Sequence, residues 1–98
     1  MTSKQDYLGR LQVAIQHMHR CGAVHVETVP VHEVFKGKTV WKGEVEVFIV
    51  THPRANHCYA WSYHDDKGER IVAILEIPPV GDAKTAVQAS ILADSKKH

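Results

Sequence analysis

The residues Glu69–Ile77, ERIVAILEI, set the strictest limit on what this chain can fold into. Successive side chains of an extended strand point to opposite faces. Ile71, Ala73, Leu75 and Ile77 therefore share one face, while Val72 and Ile74 share the other. A strand with one wet face alternates apolar and polar residues. This one is apolar on both sides and calls for cover on both.

The surrounding sequence predicts the elements that could supply it. Ser3 is placed to cap a helix over 4–21, with Asp6 favouring its positive end. Leu8, Leu11, Ile15 and Met18 recur at helical spacing, Lys4, Gln12, Gln16 and Arg20 take the other faces, and Gly22 is expected to close the helix. The β-branched runs AVHVETVPVHEVF and TVWKGEVEVFIV predict strands over 23–34 and 39–50, turning at Gly37. Pro30, with no N–H, puts the first strand at an edge or at a bend. HCYAWSYH predicts a strand over 57–64, and DDKG a hairpin loop into a fourth strand over 70–77. Pro78 and Pro79 end that ladder. Asp82 then caps a helix over 83–94 with Ala83, Ala86, Val87 and Ile91 inward, and the SKKH tail is expected to fray.

The order α-β-β-β-β-α with short connections predicts an α+β fold. It is a two-layer α/β sandwich in which a four-stranded antiparallel meander is flanked by the N- and C-terminal helices, one domain over 1–98. Either both helices lie on one side, leaving the other sheet surface as an interface, or they lie on opposite sides.

With 98 residues, 44% hydrophobic and 23% charged, the chain can bury one ordinary core. A net charge of +1 gives no global attraction to polyanions. The segment MTSKQDYLGR lacks the apolar core of a secretory signal, and VFIV and IVAIL are too short to span a bilayer. A soluble, cytoplasmic protein with reduced thiols, and no membrane partner, is the expectation. Cys21 and Cys58 form no CxxC pair.

The stretch THPRANHCYAW carries the residues that most resemble a reactive site, Cys58, His57 and His52. Strand alternation sends His57 and Cys58 to opposite faces, so the two do not easily grip one metal, and a thiol nucleophile needs a nearby base and a lowered pKa that spacing alone does not establish. Turn and strand is the preferred reading, with Cys58 packed as a small apolar residue. Cys21, at a helix C-terminus, is expected to pack as well. The histidines His17, His19, His25, His32, His52, His57, His64 and His98 include no HxxxH or HExxH spacing, so neither a metal nor another cofactor is expected. Several of them could make stability or association sensitive to pH near neutrality.

Tyr59, Trp61 and Tyr63 form an aromatic stripe on one face of the third strand, and burial beneath a helix or in a protein interface is its expected fate. With Trp41 and Phe48 these rings are the expected core or interface aromatics. Lys36, Lys38, Lys42 and Arg54 are the candidate phosphate contacts, although Glu33, Glu44 and Glu46 lie close enough to blunt their field.

The helix–sheet–helix order is similar to that of double-stranded RNA-binding domains. That family has three strands and a lysine-rich start to its last helix, whereas this chain has four strands and only Lys84 there. HVETVPVHEVFKGKTVWKGEVEVF, THPRANHCYAW and VAILEIPPV together resemble a family of small proteobacterial single-domain proteins to which no activity is attached. That resemblance implies a bacterial, cytoplasmic protein. The expectation is thus a small binding module without catalysis, acting by protein–protein contact or by self-association, with a homodimer as one form. Nucleic-acid binding through the lysine hairpin and sheet aromatics is the alternative, and a thiol enzyme using Cys58 the third.

Overall fold

In the computed structural model, which describes residues 3–95, the first helix, α1, spans Lys4–His19. Ser3 caps it as expected, its hydroxyl accepting from the Asp6 N–H at 3.1 Å. The end differs: Arg20, not Gly22, takes the left-handed conformation (φ 55°, ψ 44°) and returns its N–H to Gln16 O. Gly22 serves close approach instead. Its N–H donates to Thr51 Oγ1 at 2.8 Å, and a Cβ at this position would stand 3.2 Å from that oxygen. Leu11 and Ile15 are fully buried, but Met18, expected on the same face, is exposed.

Four strands follow, β1 (Ala23–Phe35), β2 (Lys38–His52), β3 (Ala55–Asp65) and β4 (Gly68–Leu75), and a second helix, α2, closes the order over Ala83–Ser95. The sheet runs β1-β2-β3-β4, every neighbour antiparallel. The meander with a helix at each end is the architecture expected. Strand limits shift by one or two residues, and the expected end of the fourth strand, Glu76 and Ile77, falls outside β4. Glu76 still donates its N–H to His57 O. Lys36 and Gly37 join β1 to β2 with φ of 52° and 77°, both positive as a tight two-residue hairpin turn requires. Of the SKKH tail expected to fray, Ser95 ends α2, and positions 96 onward lie outside the described residues.

The helices take opposite faces of the one sheet. Leu11 and Ile15 of α1 pack with Ala23, Phe48, Val50, Cys58 and Ala60. Ala83, Ala86 and Val87 of α2 pack with Val31, Val45, Val47, Tyr59 and Trp61 on the other side. β4 serves both cores, Ile71, Ala73 and Leu75 facing α1 and Val72 and Ile74 facing the α2 side. Its doubly apolar sequence follows from that position.

The pairing of β2 with β3 runs only from His52↔Ala55 to Glu46↔Ala60, while β1–β2 and β3–β4 continue beyond it. The two hairpins therefore splay. Tyr7 of α1 fills the gap on one side, its hydroxyl accepting from the Ser62 N–H at 3.0 Å. Trp41 fills it on the other, edge-on to Trp61 with ring centroids 5.6 Å apart. Trp41 also lies over Gly43, where a Cβ would meet the indole at 3.2 Å.

Both sheet edges are blunted. Pro30 lies in edge strand β1, where a missing donor is tolerated, and a register shift between His25 and Glu27 disturbs the same strand. The Glu76–His57 bond fixes the alternation of β4, so that Ala73 and Leu75 direct their backbone groups outward. Ala73 O receives the His19 Nε2 proton at 2.9 Å, and Leu75 O receives the Ile77 N–H at 2.8 Å.

Candidate functional site

α2 covers its face of the sheet only in part. Between β1 and the start of α2 lies a cleft of about 490 Å³ floored by Val29, Val31, Val47 and Tyr59. The cause is local. After Glu76 the chain crosses the sheet through Pro78, Pro79 and the buried Val80, and Asp82 restarts helix there by accepting the Thr85 N–H at 2.8 Å. The cleft is the space left beside that crossing.

Its rim is strongly acidic. Among the described residues, Glu27, Glu33, Glu76 and Asp82 line it against one ammonium group, Lys84. The chain as a whole carries +1, so this excess of carboxylates is a local feature. Glu76 is the organised member. The Tyr59 hydroxyl donates to its Oε2 at 2.6 Å, and His57 Nδ1 donates to its Oε1 at 3.2 Å. The hydrogen bond from Tyr59 is the main reason its carboxyl is held below the usual range, with His57 acting in the same sense against partial burial. Tyr59 is pushed well above the usual phenol range, first by burial and then by the neighbouring carboxylate. Glu76 is thus a fixed anion at neutral pH. Asp82 is likewise held low, chiefly by its hydrogen bond from the Thr85 backbone.

An apolar platform adjoins the cleft. Val24 and Ile49 face each other across β1 and β2, on the side opposite the α1 core, and are 63% and 49% exposed. His57 stands next to Ile49 across β2 and β3. The bulged residue Val26 is exposed nearby.

The residues singled out in the sequence are distributed as follows. His57 reaches the cleft, but Cys58 is buried on the α1 side, where burial pushes its thiol up to about 12. His52 accepts the Arg54 N–H in the β2–β3 turn, and no contact joins it to either. Phe48, Tyr59 and Trp61 are buried, Trp41 is half-buried and Tyr63 is exposed. Lys36, Lys38, Lys42 and Arg54 are all exposed. Lys36 and Lys38 lie at the hairpin tip, Lys42 pairs with His32 along β2, and Arg54 is in a separate turn.

Glu27 and Glu76 escaped the sequence reading, and Asp82 entered it only as a helix cap. A signal for Glu76 existed: continuing the β4 alternation puts it on the face of Val72 and Ile74, which is also the face of Tyr59. For Glu27 there was none, since its role depends on where α2 begins.

Among the described residues, no group of His, Cys, Asp and Glu is disposed to hold a metal ion. No described helix is long and apolar enough to cross a membrane. Comparison with protein families, with curated proteins and with solved structures returns no match to this chain.

Proposed function

We propose that the protein is a non-catalytic binding module that takes a basic, partly apolar segment of a protein partner in the cleft between β1 and α2. The observation that carries this reading is the juxtaposition of four carboxylates with a valine-lined floor and the exposed Val24–Ile49 platform. A lysine or arginine side chain suits such a surface, its charged head meeting the carboxylates while its methylene stem lies on the valines. Apolar side chains beside it would cover the platform.

Nucleic-acid binding has weaker support, because Tyr59 and Trp61, the rings that would stack on bases, are buried. A thiol mechanism is disfavoured by the depth of Cys58 and by the high position of its thiol.

The test is a titration of isotope-labelled protein with a peptide of alternating lysine and valine, followed by amide chemical shifts. Saturable shifts centred on Val24, Ile49 and His57, weakened by salt and by Glu27→Lys, are the expected result. An equal response to a glutamate–valine peptide would sink the reading.

A further inference from the structure

The tip of the β1–β2 hairpin carries the chemistry that the cleft and its platform lack. Val34 and Phe35 are 56% and 64% exposed, at the end of the hairpin where Lys36 forms the turn with Gly37 and Lys38 pairs with Phe35. The Lys36 ammonium lies 5.4 Å from the centre of the Phe35 ring. The tight turn at Lys36–Gly37 closes the hairpin here, and Val34 and Phe35 border a groove with Val40, Ile91 and Leu92.

We infer that the segment received by the cleft is the hairpin tip, Val34–Lys38, of a second copy of this chain. The inference rests on the cleft reading above and adds the identity of the partner. Charge and polarity complement each other: lysines and a phenyl ring on the tip face carboxylates and exposed valine and isoleucine on the other surface. Within one molecule Glu33 of the cleft stands beside Val34 of the tip, but the tip cannot fold back along its own strand to the Glu27 end of the cleft. Phe35 lies eight residues beyond Glu27 on the same strand, roughly 26 Å at about 3.3 Å per residue. Sheet edges offer no easy competing route, since Pro30 lies in one and side-chain and backbone donors occupy carbonyls of the other.

Tip and cleft are different surfaces, so the contact is heterologous. Each copy offers one of each, and association proceeds head to tail, into a ring or an open chain, rather than stopping at a two-fold dimer.

Sedimentation velocity across a dilution series, with two complementary variants, tests this. A tip variant combines Phe35→Ser, Lys36→Glu and Lys38→Glu; a cleft variant combines Glu27→Lys and Ile49→Lys. All of these positions are exposed, and circular dichroism checks that each variant is folded. Wild type is expected to gain mass beyond a dimer with concentration. Each variant alone should remain monomeric, and their mixture should give a one-to-one dimer and nothing larger, because only one productive contact exists between them. A wild type that stays monomeric at every concentration overturns the inference, as does an assembling wild type whose mixed variants do not recover the dimer. The lysine–valine peptide separates the two claims. Peptide binding by a monomeric wild type leaves the cleft reading standing without the second copy, whereas absence of both peptide binding and assembly removes both.

Discussion

Lys4 Nζ stands 2.5 Å from Glu46 Oε2, tying the first turn of α1 to a carboxylate in mid-sheet that is 1% exposed. His25 Nε2 and the Thr28 hydroxyl donate to the other oxygen at 2.9 Å and 2.5 Å. A buried carboxylate is tolerable only when paired and hydrogen-bonded, and here three donors from two other elements meet it. The arrangement fixes the start of α1 over β1 and β2.

Acid should therefore unfold the protein partly through Glu46. Burial opposes its ionisation, but the hydrogen bonds from Lys4, Thr28 and His25 outweigh this and hold its carboxyl below the usual value. A group held low in the fold contributes stability above its unfolded value, and the contribution is lost as pH falls through the folded one. Urea unfolding should show stability declining below about pH 4.5, with a shallower decline in Glu46→Gln. At neutral pH that substitution should cost about 1–3 kcal/mol; a cost near zero would show that the network adds little.

Tyr59→Phe removes the proton that Glu76 accepts without disturbing the buried ring. The expected cost is about 1 kcal/mol, and the Glu76 carboxyl should titrate closer to the ordinary value of about 4.3. Carboxyl chemical shifts against pH measure this directly. An unchanged midpoint would mean that His57 alone holds Glu76 in place.

The two thiols should separate cleanly by reactivity. Cys58 is fully buried and Cys21 only partly so, and the thiolate is the reactive form. A disulfide reagent at mild alkaline pH should modify Cys21 in the native protein and reach Cys58 only on unfolding. Two thiols reacting at once would contradict the packing beneath α1.

Arg20→Gly should stabilise the protein by about 0.5 kcal/mol, since a left-handed backbone strains a residue with a Cβ and glycine adopts it freely. Thermal unfolding of the variant checks this. A loss of stability would mean that the arginine side chain contributes more than its backbone costs.

Much of the fold was legible in the sequence because its signals are local. The Ser3 and Asp82 caps, the Gly37 turn, the DDKG hairpin and the β-branched runs each act within a few residues. Four strands joined by such turns have little choice but to pair with their neighbours. The doubly apolar β4 also pointed toward cover on both faces. Local cues were less reliable where a partner was distant: Gly22 looks like a helix stop, yet its lack of a side chain answers to Thr51, far along the chain. The terminal turn then fell to Arg20.

The buried ion pair under α1 and the candidate site on the opposite face were both much less legible. Lys4 reads as a solvated helix residue and Glu46 as part of a mixed strand face, and only the placement of α1 across β2 makes them partners. Glu76 came within reach of the β4 alternation, but nothing in the sequence joins it to Glu27.

The sequence alone thus determined the elements, their order and the antiparallel meander, since turn geometry, caps and side-chain alternation are properties of neighbouring residues. Tertiary structure alone decided that the helices take opposite faces, that Tyr59 and His57 meet Glu76, and that a cleft remains where α2 fails to cover β1. Those outcomes depend on the path of Pro78–Asp82 across the sheet and on packing between residues far apart in the chain, which no local pattern records.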